Sequence, residues 1–132
     1  MFIFLRSNQK NSFALLKDNE TFFLSCIAMP AIRKPYLIEE KYQKEDEELM
    51  LLKMDGIMKT AIKYGHDSVV LGAMGAGAFG NPPEQVALLF KQIVNKYLYN
   101  FKRISFAILD FYDKDGFLKS KNFDIFSKII LN

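Results

Sequence analysis

The run Val69-Val70-Leu71-Gly72-Ala73-Met74-Gly75-Ala76-Gly77-Ala78-Phe79-Gly80-Asn81-Pro82-Pro83-Glu84 holds four glycines between positions 72 and 80 and carries no charge before Glu84. The chemistry open to such a stretch belongs to its backbone. Glycine lets a chain turn through positive φ and lets another molecule approach the peptide groups closely. The N–H groups of Gly75, Ala76, Gly77, Ala78 and Phe79 can converge on an anion as a nest of donors. The flanking elements must aim them. Val69–Leu71 is a short apolar run bounded by turn residues, the pattern of a strand buried on both faces. Asn81 can act as a helix N-cap, with Pro82 as the first helical residue and Glu84 as the return partner of a capping box. Strand, uncharged glycine loop and capped helix together form the layout that presents N–H groups to a phosphate. The helix dipole adds less than usual, because Pro82 and Pro83 lack an N–H and Glu84 is negative.

Other residues with chemical potential are scattered. Gly75-x-Gly77-x-x-Gly80 also spells a dinucleotide fingerprint, and Asp110 stands where a ribose-binding acid would end the next strand. In that fingerprint the third glycine lies inside the helix start, whereas Gly80 precedes Asn81. No Gly-Lys-Ser/Thr follows the loop, which excludes a P-loop. His66 is the single histidine, in a turn with no Ser or Cys nucleophile beside it. Arg33, in a loop between Pro30 and Pro35, either faces a phosphate or is an exposed loop arginine. Phe79 either packs against a ribose or anchors the loop to the core. Asp113 and Asp115 lack the ordered ligand spacing of an EF-hand, so no calcium site is expected. No catalytic residue, metal site or cofactor is assigned.

Composition bounds the answer. A chain of 132 residues, half of them hydrophobic, is expected to form one domain with a modest core. Its net charge of +3 is spread over scattered lysines without a basic stripe, which argues against nucleic acid. Cys26, the lone cysteine, excludes an internal disulfide and is expected as a small core residue. No run reaches transmembrane length and the opening residues turn polar at once, so a cytoplasmic protein is expected.

In chain order, strands are expected at Phe2–Leu5, Phe13–Leu16 and Thr21–Ala28, with turns between them. Ile38–Tyr64 is the longest helical stretch. Met50, Met54, Ile57, Met58, Ala61 and Ile62 mark its apolar face, and Gly65 its C-terminal stop. Glu84–Tyr97 places Val86, Leu89, Phe90, Ile93, Val94 and Tyr97 on one helical face. Ile104–Leu109 is a buried strand, making a parallel β-α-β crossover with Val69–Leu71. Phe123, Phe126, Ile129 and Ile130 form the apolar side of a final short helix. The strands at Phe2–Leu5, Leu24–Ala28, Val69–Leu71 and Ile104–Leu109 are expected to form one mixed or parallel sheet.

The central loop resembles the diphosphate-binding loop of macrodomains, most closely the microbial-type poly(ADP-ribose) glycohydrolase family. That family's pattern is an apolar strand, then Gly-Ala-x-Gly-x-Gly-x-Phe, then Asn, Pro and an acid entering a helix. Here it reads Gly72-Ala73-Met74-Gly75-Ala76-Gly77-Ala78-Phe79, then Asn81-Pro82-Pro83-Glu84. Met74 and Ala76 depart from the Trp and Cys that the family often carries. Ala61–Asp67 resembles the end of the preceding family helix, and Phe101–Asp110 its last strand. The resemblance implies a three-layer α/β/α fold with a mostly parallel sheet. It also implies ADP-ribose or an ADP-ribosylated protein as ligand, held by Gly72, Ala73, Gly75, Ala76, Gly77, Ala78 and Phe79. The family's catalytic signature, Gly-Gly-Gly followed closely by Gln-Glu-Glu, is missing. No glycine precedes Gly56, and neither Glu39-Glu40 nor Glu47-Glu48 follows a glycine loop. Residues 1–132 are therefore expected to be a single truncated macrodomain-like unit that binds without cleaving. A homo-oligomer or a complementing chain would then cover the exposed sheet. The alternatives are a hydrolase completed by a partner chain and a structural protein that has lost its ligand.

Overall fold

The computed structural model describes residues 4–6, 13–15, 18–110, 115 and 121–131. The chain is mixed α/β. Strands β1 (Phe4–Arg6) and β2 (Phe13–Leu15) form an antiparallel pair. A second, very short pair joins β3 (Leu37–Ile38) to β4 (Lys41–Tyr42). Helix α1 (Lys44–Lys63) leads to β5 (Ser68–Leu71), α2 (Pro83–Tyr97), β6 (Arg103–Phe106) and α3 (Asn122–Ile130). Strands β5 and β6 are parallel, with Val69 opposite Ile104 and Leu71 opposite Phe106. The expected β-α-β crossover is therefore present, and α2 is its connecting helix.

The core explains why these segments hold together. Met50, Met54, Met58 and Ala61 recur on one face of α1 and are buried. They meet Val86, Leu89, Phe90 and Ile93 of α2, and Leu71 of β5. Phe90, Phe106 and Phe126 form a triangle that ties α2, β6 and α3 together, with ring centroids 5.4, 6.5 and 6.0 Å apart. Helix α1 ends in a Schellman motif. Gly65, at φ +74°, donates to Ile62 O, and His66 N–H donates to Ala61 O.

Five sequence expectations are corrected here. The strands do not share one sheet: the described residues form three separate two-stranded pairs, because β1 takes β2 as its neighbour and not β5. Leu24–Ala28 is no strand. Phe23 is 97% exposed and Cys26 is exposed, not in the core. A strand needs a ladder partner, and a cavity of about 1200 Å³ separates this segment from β5. Helix α1 starts at Lys44 rather than Ile38. Glu39 and Glu40, at φ +50° and +60°, make the two-residue turn between β3 and β4. The apolar face of α1 is also narrower than expected, with Ile62 exposed at its edge. The loop acid Asp113 and the segment Phe2–Ile3 lie outside the described residues.

One polar group is buried between the helices. Asp55 of α1 accepts hydrogen bonds from Lys96 Nζ (2.6 Å) and Tyr97 OH (2.7 Å) of α2, and pairs with Lys59 Nζ at 2.7 Å. Lys59, then Lys96 and Tyr97, hold its carboxyl far below the usual carboxylate range. A carboxylate depressed by folding contributes its stability above the unfolded-state value and loses it as pH falls toward the folded-state value. Asp55→Ala is expected to lower stability by about 1–3 kcal/mol near neutral pH, since it leaves the buried Tyr97 hydroxyl without an acceptor. The gap between wild type and variant should close as pH falls below 3.8, the ordinary value. Urea titrations at pH 7 and pH 3 check both.

Candidate functional site

The glycine loop leaves the carboxyl end of β5 and enters α2. Its shape is fixed by an unequal division of hydrogen bonds. The carbonyls of Gly72, Ala73, Gly75 and Gly77 accept from Met74, Ala76, Asn81 and Gly80 N–H at 2.9–3.0 Å. Ala76 O accepts from Asn122 Nδ2 of α3 at 2.8 Å. Phe79 O accepts from Lys34 N–H at 2.8 Å. The N–H groups of Gly75, Gly77, Ala78 and Phe79, by contrast, donate to nothing among the described residues. Six loop carbonyls are engaged while these four amides are open, which leaves backbone donors available to an anion. Ala76 is the exception within the expected set, because its N–H is engaged by Ala73 O and the residue is buried.

Asn81 holds the loop in place. It is 2% exposed and does not cap α2, whose N-cap is Pro82 with Pro83 inside the first turn. Its side chain reaches back instead. Nδ2 donates to Ile32 O (2.7 Å) and Gly75 O (3.2 Å), and Oδ1 accepts from Tyr42 OH at 2.6 Å. Burial, with Asp46 adding to it, pushes the Tyr42 hydroxyl well above its ordinary range, so it remains a donor. Tyr42 N–H in turn donates to Gln85 Oε1 of α2 at 2.5 Å. Gly75 packs against this knot at φ +76°. A Cβ there would collide with Asn81 Nδ2 and would lie 2.5 Å from Ala31 Cβ.

A cavity of about 450 Å³ opens beside the loop, within the range of small-ligand sites. Gly75, Ala76, Gly77, Ala78 and Phe79 line one side; Met29, Pro30 and Ala31 line another, with Leu109 and Asn122 completing it. No lining residue is ionisable. Ala73 borders this cavity and the larger one, while Gly72 borders only the larger. Phe79 is 38% exposed, so it is available to a ligand as well as to the loop. Glu39 and Glu40 are exposed in their turn, and His66 is exposed after α1. Neither acid lines the loop cavity. Among the described residues no cluster of His, Cys, Asp and Glu is placed to hold a metal ion.

Sequence spacing identified the loop but not its supports. Tyr42 and Asn122 lie 39 and 46 residues from the groups they bond, and no local pattern announces either. The proline pair was the one available signal for Asn81, since Pro83 is well suited to the first helical position and moves the cap to Pro82.

No protein-family model matches the chain, and no solved structure matches it. It is similar to an uncharacterized protein of Pyrococcus abyssi, with 30% identity over 74 residues. Those residues are 56% of this chain and 40% of that protein, so the match spans less than half of the relative's length. Among the described residues no helix is long and apolar enough to cross a membrane.

Two glycines give a contrast that tests the loop's construction. Gly75 and Gly80 both have positive φ, but a Cβ on Gly80 meets nothing within 4 Å. Gly80→Ala should therefore cost only the left-handed backbone penalty, about 1–2 kcal/mol. Gly75→Ala should cost clearly more, because it also displaces Asn81 and Ala31. Thermal or urea unfolding of the two variants should rank them in that order.

Proposed function

We propose that the chain binds ADP-ribose, or a closely related nucleotide diphosphate, at the glycine loop, without cleaving ADP-ribosyl–protein bonds by itself. The observation that carries this reading is the set of open amides at Gly75, Gly77, Ala78 and Phe79, beside loop carbonyls that already have donors. The likeness of Gly72–Phe79 to the macrodomain diphosphate loop supports the choice of ligand. Hydrogen bonds to a charged acceptor contribute about 1.5–3 kcal/mol each, so a few amides that reach the phosphates would supply part of a modest affinity. Phe79 offers a partly exposed ring to the adjoining ribose. The lack of a Gly-Gly-Gly run, and the exposed turn position of Glu39-Glu40, favour binding over catalysis.

Calorimetric titration with ADP-ribose, and with AMP for comparison, tests this. Gly77→Val should abolish binding by placing a side chain where the backbone meets the phosphate. Glu40→Gly, which suits the positive φ of that turn, should leave binding unchanged. No heat from folded wild-type protein at millimolar ADP-ribose would favour a structural protein that has lost the ligand. Turnover of an ADP-ribosylated protein by the purified chain would show that an acid here does chemistry.

A specific observation favours a partner as well. The bonds Ala107 N–H to Leu71 O and Lys102 N–H to Asp67 O direct the odd-numbered residues of β5 toward β6. Ser68, Val70 and Gly72 therefore turn their N–H and C=O groups toward the second edge, which borders the larger cavity. No strand among the described residues pairs with that edge. Val70 is also 73% exposed on the sheet face that the helices leave uncovered. An open edge beside an apolar face is a template for another strand. The reading is that a second copy supplies it and completes a three-layer α/β/α arrangement, with a different complementing chain as the alternative. Light scattering across a concentration series should show a dimer or larger species; a monodisperse monomer throughout would count against self-assembly.

A further inference from the structure

The loop cavity poses an electrostatic problem. Its lining is neutral, the helix behind it begins with two prolines, and Glu84 adds a negative charge in the first turn. Amides alone would have to offset the charge of a diphosphate. The nearest segment that crosses the loop carries two cations. Residues 31–34 are fixed against the loop at three points: Ala31 Cβ abuts Gly75, Ile32 O accepts from Asn81 Nδ2 (2.7 Å), and Lys34 N–H donates to Phe79 O (2.8 Å). Lys34 is held at φ +52°, a left-handed conformation disfavoured for lysine. Such a conformation persists where the surroundings over-determine it, and ligand clamps are among the places that keep it. Arg33 and Lys34 are both exposed, and neither pairs with a carboxylate among the described residues.

We infer that Arg33 and Lys34 form a cationic rim on the glycine loop and supply the charge that the loop itself lacks, making the site selective for a diphosphate. This rests on the diphosphate-binding reading above. The amides would orient the phosphate oxygens, while the two flexible side chains would close over them from the flank of the cavity. Arginine suits the task through its planar fork, and lysine through its mobile point charge. The backbone bond from Lys34 to Phe79 O fixes where that second charge starts.

Titration of the folded chain with ADP-ribose at low and high salt separates this charge effect from a backbone effect. Lys34→Asn removes the charge but suits a left-handed position, and Lys34→Arg keeps the charge. Arg33→Gln removes the other charge. Lys34→Asn and Arg33→Gln should each weaken binding at low salt by about fivefold, the upper range for an exposed charge pair. The loss should shrink at high salt, where exposed charges are screened. Lys34→Arg should bind like wild type, and all three should melt close to it. Wild-type affinity in Lys34→Asn and Arg33→Gln would overturn the rim and leave the amide site standing. A loss that persists undiminished at high salt would do the same. Absence of ADP-ribose binding by the wild-type chain would overturn both.

Discussion

The Asn81 side chain is the point on which the site's geometry depends. One buried amide group joins three segments: Ile32 from the loop before β3, Gly75 from the glycine loop, and Tyr42 from β4. A buried amide must find partners for both its oxygen and its nitrogen, or its removal from water goes uncompensated. Two of its three partners, Ile32 and Tyr42, lie 49 and 39 residues away and the third, Gly75, lies in the same loop, so satisfying the amide also docks the loop on those two segments. Gly75 is confined to glycine for the same reason, because the space beside it is filled by Asn81 and Ala31.

Around that point the structure is organised by helices more than by sheet. The methionine stripe of α1 adapts to the uneven surface of α2, as unbranched side chains do. Asp55 fixes how the two helices sit, since its carboxylate finds Lys96 and Tyr97 only in this alignment. The aromatic triangle then adds β6 and α3 to the same core. The parallel pair β5–β6 is thus backed firmly on one face. The other face presents Val70 to the outside, at 73% exposure.

How much of this was legible in the sequence follows the range of the forces involved. The order β5, loop, α2, β6 was legible because glycine, proline and apolar periodicity act within a few residues. The strand expected at Leu24–Ala28 failed for the opposite reason. Its apolar residues suit a strand, but a ladder partner is supplied by another segment, and β5 does not reach it. The start of α1 was misplaced because Glu39 and Glu40 favour helix by composition, yet both take left-handed conformations in a turn. The expectation that the loop would leave backbone N–H groups open came from glycine spacing; Gly75, Gly77, Ala78 and Phe79 have open N–H groups among the described residues, whereas the Ala76 N–H is engaged by Ala73 O. Tyr42, Asn122 and Asp55 work through partners 39 to 46 residues away, a distance that local patterns do not encode.

The bond from Asn122 to Ala76 O has a consequence in time. Asn122 is the first residue of α3, and it completes the bonding of a loop that was made long before it in the chain. During synthesis the segment from β5 to β6 emerges first and can pair and pack. Ala76 O then lacks its donor until α3 has docked against Phe90 and Phe106. That one bond of the glycine loop therefore forms late, after the helix farthest along the described chain has docked on the core. Up to that moment the Ala76 carbonyl of a nascent chain has only water to bond.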